Sequence, residues 1–256
     1  MQLALIPPKG WENYIHLSSF QLALAHIDAG DYLREYAKAE RRGDFIVLDN
    51  GIAEDEHLST KALVITSTRI GASELVLPDV MHDGNRTLSA IGKFLKEAKQ
   101  LPKPYTTGLR LMAVAHGNNT DDIQALITQY VDIAEIDTVG LPRCLVTQWK
   151  PAMRIDLANW THETYPNRFQ IHFLGTSHWW PREIAQAAHY APHVRSVDTS
   201  MPFNYALAGE RLDVKKPAAV KRPDGYFKDV RDFDPDLLRR NIQTMFGWLD
   251  VEAPVS

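Results

Sequence analysis

The feature that most constrains the fold is a regular alternation of short apolar runs with amphipathic helical segments. The apolar runs, typical of buried strands, are Leu3–Ile6, Phe45–Leu48, Glu74–Leu77, Leu109–Ala115, Ala134–Val139, Gln170–Leu174 and Val194–Val197. The helical patterns between most of them are Tyr32–Arg41, Thr60–Ile70, Thr87–Gln100, Asp121–Tyr130, Met153–Thr164 and Arg182–Tyr190. Because strands separated by crossover helices pair in parallel, this order predicts an α/β fold.

The number of strand candidates separates two parallel architectures. Seven candidates and one that the pattern misses would close a (β/α)8 TIM barrel, whereas fewer strands would form a doubly wound open sheet. No G-x-G-x-x-G motif follows the first strand, and this disfavours a dinucleotide-binding sheet. We therefore predict a TIM barrel that occupies residues 1–256 as a single domain.

The segment 203–234 interrupts the alternation. Its charged residues are interspersed with Gly209, Pro217, Pro223 and Gly225, which predicts a long loop. Asp236–Leu249 then carries apolar residues at helical spacing and predicts a final helix that packs on the barrel.

The composition indicates a cellular compartment, but it does not identify a binding partner. The chain has 256 residues, 45% of them hydrophobic, and a formal net charge of −4, so bulk charge does not point to nucleic acid. The single cysteine, Cys144, rules out an internal disulfide and leaves no cysteine cluster for zinc. The N-terminus does not resemble a signal peptide, and no apolar stretch approaches membrane-spanning length. We expect a cytoplasmic protein without a membrane segment.

Polar residues stand where several predicted strands end. They are Asp49, Asp79, His116, Gly140 and Asp198. Since the C-terminal strand ends of a β/α barrel meet at one mouth, these residues predict an active site. Two chemistries remain open: a metal held by the acids and His116 that activates water, or a metal-free pair of carboxylates acting as nucleophile and acid/base. No H-x-H or H-E-x-x-H spacing occurs, which weakens the metal alternative.

Six motifs resemble, in the same order, those of the tRNA-guanine transglycosylases and their phage-encoded relatives that insert 7-deazaguanines into DNA. In the first half, Phe45–Gly51 resembles the Asp-Ser-Gly-Gly segment, Glu74–Val80 the strand ending in the base-reading Asp, and Met112–Gly117 the Val-Gln-Gly-Gly strand. In the second half, Thr138–Leu141 resembles the Gly-Leu turn, His172–Gly175 the Tyr-Leu-Met-Gly segment, and Val197–Pro202 the Phe-Asp-Cys-Val-Met-Pro segment. The resemblance spans residues 45–202.

The resemblance implies a pentosyltransferase that exchanges a guanine for a 7-deazaguanine of the preQ0 type. Asp198 would be the nucleophile that attacks the sugar C1′, and Asp49 the second catalytic carboxylate, a general acid/base. Substrate-binding positions would be Asp79, Asn50, His116, Gly140, Leu174 and Gly175. Of these, Asp79 would accept hydrogen bonds from the guanine N1–H and amino group, and Leu174 would contact the ring face. No cofactor or metal is implied at these positions.

Departures from the family bear on the substrate. The family's zinc site needs three Cys and a His, so its zinc subdomain is expected to be absent here. The aromatic that stacks on the base is replaced by Ile52 or Ala53, and the family's Gln by His116, which would then donate to a carbonyl or nitrile. The short chain and the missing zinc residues favour the branch that acts on DNA over the tRNA branch.

A nucleic-acid partner is also suggested by the predicted loop. Between Glu210 and Arg231 the chain has seven basic and four acidic residues, with Tyr226 and Phe227 among them. Lys215, Lys216, Lys221 and Arg222 would contact the backbone of a flipped or single-stranded guanine nucleotide in DNA. The alternatives are a solvated surface loop and, for the protein as a whole, a metal-dependent barrel hydrolase, a tRNA-guanine transglycosylase or a non-catalytic nucleic-acid-binding relative.

Overall fold

Eight parallel strands close into one barrel, in chain order, in the computed structural model of the protein. The structure describes residues 1–27, 30–54, 56–102, 108–148, 152–176, 183–213 and 220–250. The strands are β1 (Gln2–Leu5), β2 (Phe20–Leu24), β3 (Phe45–Asp49), β4 (Glu74–Val76), β5 (Arg110–Val114), β6 (Ile136–Pro142), β7 (Gln170–Leu174) and β8 (Val194–Thr199). β8 pairs with β1 and closes the barrel. The predicted (β/α)8 TIM barrel is confirmed.

Helices surround the barrel, and all of those described except the short Cys144–Gln148 and Met201–Leu207 correspond to predicted segments. They are α1 (Gly30–Arg41), α2 (Thr60–Ile70), α3 (Gly84–Ala98), α4 (Thr120–Val131), α5 (Cys144–Gln148), α6 (Met153–Thr164), α7 (Glu183–Tyr190), α8 (Met201–Leu207) and α9 (Pro235–Asp250). Side-chain caps start three of them, because Ser59, Asp83 and Asn119 each accept a backbone N–H of the first turn. None of the helices in the described ranges has the length and apolar composition needed to cross a bilayer.

The strand that the sequence pattern misses is β2. A short 3₁₀ segment, Glu12–Leu17, connects β1 to β2, so no amphipathic α-helix separates the two strands in the sequence pattern. The buried Gln21 and Ala23 of β2 also have weak strand preference. The Gln21 amide is satisfied inside the protein, donating to Ile15 O, Ser18 O and Asp44 Oδ2.

The predicted loop at 203–234 is wrong at its beginning. Residues up to Leu207 belong to α8, and Pro202 lies in the first turn of that helix, where no hydrogen bond depends on the missing N–H. The rest of the segment, over 208–213 and 220–234, contains no helix or strand. It is anchored to the barrel through Tyr226, whose hydroxyl donates to Ile6 O at 2.6 Å.

Alternation along the strands determines which side chains enter the barrel interior. On β8 these are Ser196 and Asp198, and on β7 His172 and Leu174; all except the half-buried Leu174 are buried. The core is therefore apolar for most of its volume but polar between β7 and β8. This places chemistry-bearing groups directly beneath the C-terminal mouth.

Candidate active site

A cavity of about 450 Å³ opens at the C-terminal ends of the strands. This volume lies within the range of small-molecule sites. Of the residues that the sequence predicts for the site, the cavity is lined by Asp49, Asn50, Asp79, His116, Leu174, Gly175, Asp198 and Arg222. Parallel strand ends thus bring together Asp49 and Asp198, which are 149 positions apart in the chain.

Asp198 is held by one of its two carboxylate oxygens. Oδ1 accepts the Gly175 N–H at 2.8 Å and lies 3.1 Å from His172 Nε2. Within the described ranges no hydrogen bond reaches Oδ2, although the residue is only 4% exposed. Since Asp198 lines the cavity, Oδ2 is the oxygen left for a ligand.

The loop that presents Gly175 to Asp198 is held in place by a buried arginine. Arg154, on α6, forms a two-bond ion pair with Glu183 at 2.7 and 2.5 Å. Its remaining nitrogen donates to the carbonyls of Leu141, Leu174 and Gly175. This interaction joins the ends of β6 and β7. Gly175 itself has φ +71°, a left-handed conformation that glycine adopts without strain.

Asp49 is the second carboxylate at the mouth. Its Oδ2 accepts the Gly51 N–H at 3.1 Å. Burial, with the negative charges of Glu54, Asp198 and Asp79 adding to it, raises the pKa of Asp49 to about 8. At neutral pH the group therefore carries a proton that it can give and take back.

Asp79 forms a buried pair with His116. His116 Nε2 lies 2.6 Å from Asp79 Oδ2, and Asn50 Nδ2 donates to Asp79 Oδ1 at 2.6 Å. Burial alone lowers the pKa of His116, but the hydrogen bonds with Asp79 and Cys144 outweigh it and raise that pKa to about 9. At neutral pH the pair is an imidazolium and a carboxylate, and each Asp79 oxygen keeps one further acceptor position.

Two predicted ligand residues that line the cavity also hold Asp79. Asn50 donates its amide hydrogens to Asp79 and to Leu77 O, at 2.6 and 2.7 Å. Nε2 of His116 faces Asp79, and Nδ1 lies 3.4 Å from the His82 backbone nitrogen, which is long for a hydrogen bond. Since Asp79 takes the Nε2–H, the expected donation from His116 to a ligand carbonyl stays a prediction for Nδ1.

Gly140 provides space and not a hydrogen-bonding group. Its carbonyl is used by the sheet, where it accepts the Ala115 N–H at 2.9 Å. A Cβ at this position would lie 2.8 Å from Leu174 Cδ1 and 3.1 Å from Met112 Sδ. Only glycine lets Leu174 pack against β6, and from there Leu174 lines the cavity.

One side of the mouth is covered by an arginine from the predicted basic loop. Arg222 Nη2 lies 3.1 Å from Glu54 Oε1, and its guanidinium is 4.9 Å from the Phe227 ring centre. Glu54 Oε2 is buried and has no partner in the part of the chain that the structure describes. Lys221 is exposed and does not line the cavity, whereas Lys215 and Lys216 lie outside the described residues.

Sequence reasoning missed four groups at the site: Glu54, Arg143, Cys144 and His172. The first three line the cavity, and His172 supports Asp198. Arg143 directly follows β6, so the strand-end rule that selects the acids could have found it. Arg143 and Arg222 both line the cavity, and desolvation together with the positive charge of Arg222 lowers the pKa of Arg143.

Among the described residues, no group of three or more His, Cys, Asp or Glu side chains is arranged to hold a metal ion. A scan against protein-family models and a search of curated proteins find no match to this chain.

Proposed function

We propose that the protein is a base-exchange transglycosylase that replaces guanine in DNA by a preQ0-type 7-deazaguanine. The observation that carries the proposal is the pairing of Asp198, a carboxylate with one anchored oxygen, and Asp49, a carboxyl with a pKa of about 8, in one cavity. The motif order over residues 45–202 supports the same assignment.

Asp198 Oδ2 attacks the sugar C1′ of the target nucleotide. The bond from C1′ to the guanine nitrogen breaks as the bond from C1′ to Oδ2 forms, and Asp49 gives its proton to the departing base. The transition state has oxocarbenium character, which a carboxylate beneath C1′ stabilises. Asp49, now ionised, accepts the proton of the incoming 7-deazaguanine, whose nitrogen displaces Oδ2 and restores both carboxyl groups.

Acceptor atoms for the base edge are available in the cavity lining. The free positions on Asp79 and Glu54 Oε2, which has no partner among the described residues, suit the N1–H and amino donors of a guanine-type base. A base without these donors would leave buried acceptors unpaired, at a cost of about 1–3 kcal/mol for each. Leu174 and Leu24 supply apolar wall for the ring.

Arg143 and Arg222 would contact the phosphates that flank the target sugar. Both line the cavity. Arg143 directly follows β6, and Arg222 lies in the loop before α9, so neither is part of a strand. The reacting nucleotide must leave a duplex stack to reach Asp198, so a flipped or single-stranded nucleotide is the substrate.

The test is capture of a covalent protein–DNA adduct. The protein is incubated with a guanine-containing single-stranded oligonucleotide, denatured and analysed by mass spectrometry for a link to Asp198. We expect an adduct in the wild type and in a control variant, Asp121→Ala, at an acidic residue of the first turn of α4. No adduct should form in Asp198→Ala, and an adduct that persists there overturns the proposal.

Two parallel arms address the alternatives. Replacing DNA by tRNA asks which nucleic acid is used, and an adduct with tRNA alone contradicts the DNA assignment. Chelator treatment asks whether the same acids serve a metal-dependent hydrolase, in which case base exchange is absent and hydrolysis stops when metal is removed.

A further inference from the structure

A chain of polar side chains crosses the barrel interior beneath the cavity and ends on Asp198. Arg195 Nη2 contacts Glu74 Oε2 at 2.5 Å, and Arg195 Nε donates to Ser196 Oγ at 3.1 Å. Ser196 Oγ lies 2.8 Å from His172 Nδ1, and His172 Nε2 lies 3.1 Å from Asp198 Oδ1. Glu74, Ser196 and His172 are fully buried.

An irregularity in the sheet brings Arg195 into this chain. Between β7 and β8, Ile171 pairs with Val194 but His172 pairs with Ser196, so Arg195 is an extra residue on β8. Such a bulge redirects a side chain that would otherwise face the helices. Arg195 instead packs on the rings of Phe20 and Phe45, with its guanidinium carbon 5.4 and 5.1 Å from their centres.

Donor and acceptor rules favour one arrangement of protons along this chain, because a carboxylate oxygen such as Asp198 Oδ1 can only accept a hydrogen bond from His172 Nε2. An arginine Nε–H can only donate, so the Ser196 oxygen accepts it and turns its own hydrogen towards another acceptor. The acceptor within reach is His172 Nδ1. The remaining proton of a neutral imidazole must then be on Nε2, where it points at Asp198 Oδ1.

We propose that Glu74, Arg195 and Ser196 hold the proton of His172 on Nε2, so that His172 acts as a positioning residue that anchors Asp198 Oδ1 and keeps Oδ2 aimed into the cavity. The link to Asp198 chemistry rests on the proposed function. The proton position on His172 does not, because it follows from the buried hydrogen bonds alone.

The charges around His172 agree with a neutral ring. Burial, the largest cause, lowers the pKa of His172, and the positive charge of Arg195 lowers it further. Asp198 and Glu74 act in the opposite direction but do not reverse the shift. The neutral ring therefore donates one hydrogen bond to Asp198 and does not form an ion pair with it.

Nitrogen NMR of the full-length protein labelled at histidine tests the proton position directly. We expect the His172 signals to show a protonated Nε2 and an unprotonated Nδ1 across neutral pH, and His172→Gln identifies those signals among the ten histidines. A ring protonated on Nδ1 alone, or on both nitrogens at neutral pH, overturns the proposal.

Variants of Ser196 test the effect on Asp198. Ser196→Ala removes the donor to Nδ1, so His172 should take up a proton at higher pH and pair with Asp198 as a cation. We expect kcat for base exchange to fall at least about tenfold with KM changed less than about twofold, and the acid limb of the pH profile to move to higher pH. Ser196→Thr, which keeps the hydroxyl, should restore most of the activity.

A buried serine that takes no part in these hydrogen bonds serves as the matched control. Ser67, on α2, donates to Val64 O and is 2% exposed, so Ser67→Ala repeats the loss of a buried hydroxyl without touching His172. An acid limb that moves equally in Ser67→Ala, or that does not move in Ser196→Ala, overturns the proposed role of the hydrogen-bonded side chains. If instead the NMR result holds but no Asp198 adduct forms, the proposed function fails while the proton assignment stands.

Discussion

His116 Nε2 lies 2.6 Å from Asp79 Oδ2, and both side chains are buried beside the cavity. The pair fills one acceptor position of Asp79 and fixes the plane of its carboxylate before any ligand arrives. Asn50 does the same for the other oxygen. A base that binds Asp79 therefore meets a carboxyl group that is already oriented, and little free energy is lost in ordering it.

The Asp79–His116 pair should make stability depend on pH in the alkaline range. The pKa of His116 is about 9 in the folded protein and 6.5 ordinarily, so the folded state holds the proton more tightly. Its stabilisation is complete below pH 6.5 and is lost as pH rises through 9. The free energy of unfolding of the wild type, measured in urea relative to His116→Gln, should fall across this window. A constant difference would contradict the pairing.

Asp49 should limit base exchange at high pH. As a general acid with a pKa of about 8, it must be protonated when guanine departs, so kcat/KM should fall above pH 8. Asp49→Asn should lower the rate on the order of a hundredfold or more and remove that alkaline limb. The measurement is a pH–rate profile with the oligonucleotide substrate, and a limb that survives in Asp49→Asn would refute the assignment.

The same carboxyl should lower stability as pH rises. The pKa of Asp49 is 3.8 ordinarily and about 8 in the folded protein. Between these pH values Asp49 ionises in the unfolded chain but not in the folded protein, which stabilises the unfolded state relative to the folded one. Asp49→Asn cannot ionise, and we expect it to become progressively more stable than the wild type from about pH 4 to pH 8. Denaturant titrations at several pH values check this. Parallel curves for the two proteins would show that Asp49 ionises freely in the fold.

Arg143 and Arg222 should contribute to DNA affinity by binding phosphates. Each arginine changed to glutamine should reduce the slope of log K against log salt by about 0.7 for single-stranded DNA, because one phosphate is no longer neutralised. Lys93, exposed on α3, provides the control, because Lys93→Gln removes a charge far from the mouth. Fluorescence anisotropy at several salt concentrations measures the slopes. Equal slopes for all these proteins would remove both arginines from the interface, and the same test applies to Lys215, Lys216 and Lys221.

Gly140→Ala should destabilise the barrel by about 1–3 kcal/mol, because its new methyl group overlaps Leu174 and Met112. Adding Leu174→Ala should relieve the overlap, so the two changes together should cost less than their sum. Gly92→Ala is the control: no atom lies within 4 Å of that Cβ, and alanine favours a helix over glycine by about 0.5–1 kcal/mol. Chemical denaturation measures all four variants, and additive losses would exclude the overlap.

Most of the barrel could be predicted from local pattern, because strand and helix periods are properties of neighbouring residues. β2 could not, since its short sequence contains Gln21 and Ala23 and no α-helix separates it from β1. The predicted start of the 203–234 loop is wrong because a proline can indicate either a break or a helix start, and Pro202 is suited to the first turn of α8.

The residues of the candidate site likewise divide into those that the sequence could predict and those that it could not. Asp49, Asp79 and Asp198 could be selected because each ends a strand, and parallel strands end at one mouth. Arg154 could not, because its role depends on carbonyls 13 to 21 positions away and on Glu183. No local pattern in α6 marks a side chain that joins two other strand ends.

Sequence alone determined that strands and helices alternate, that the strands run in parallel and that acids gather at their C-terminal ends, because hydrophobic periodicity acts over a few residues. Tertiary structure alone decided which oxygen of Asp198 is anchored, which groups surround His172 and why Asp49 holds a proton near neutral pH. These properties depend on distances and burial among residues from different strands, and such distances exist only once the barrel has closed.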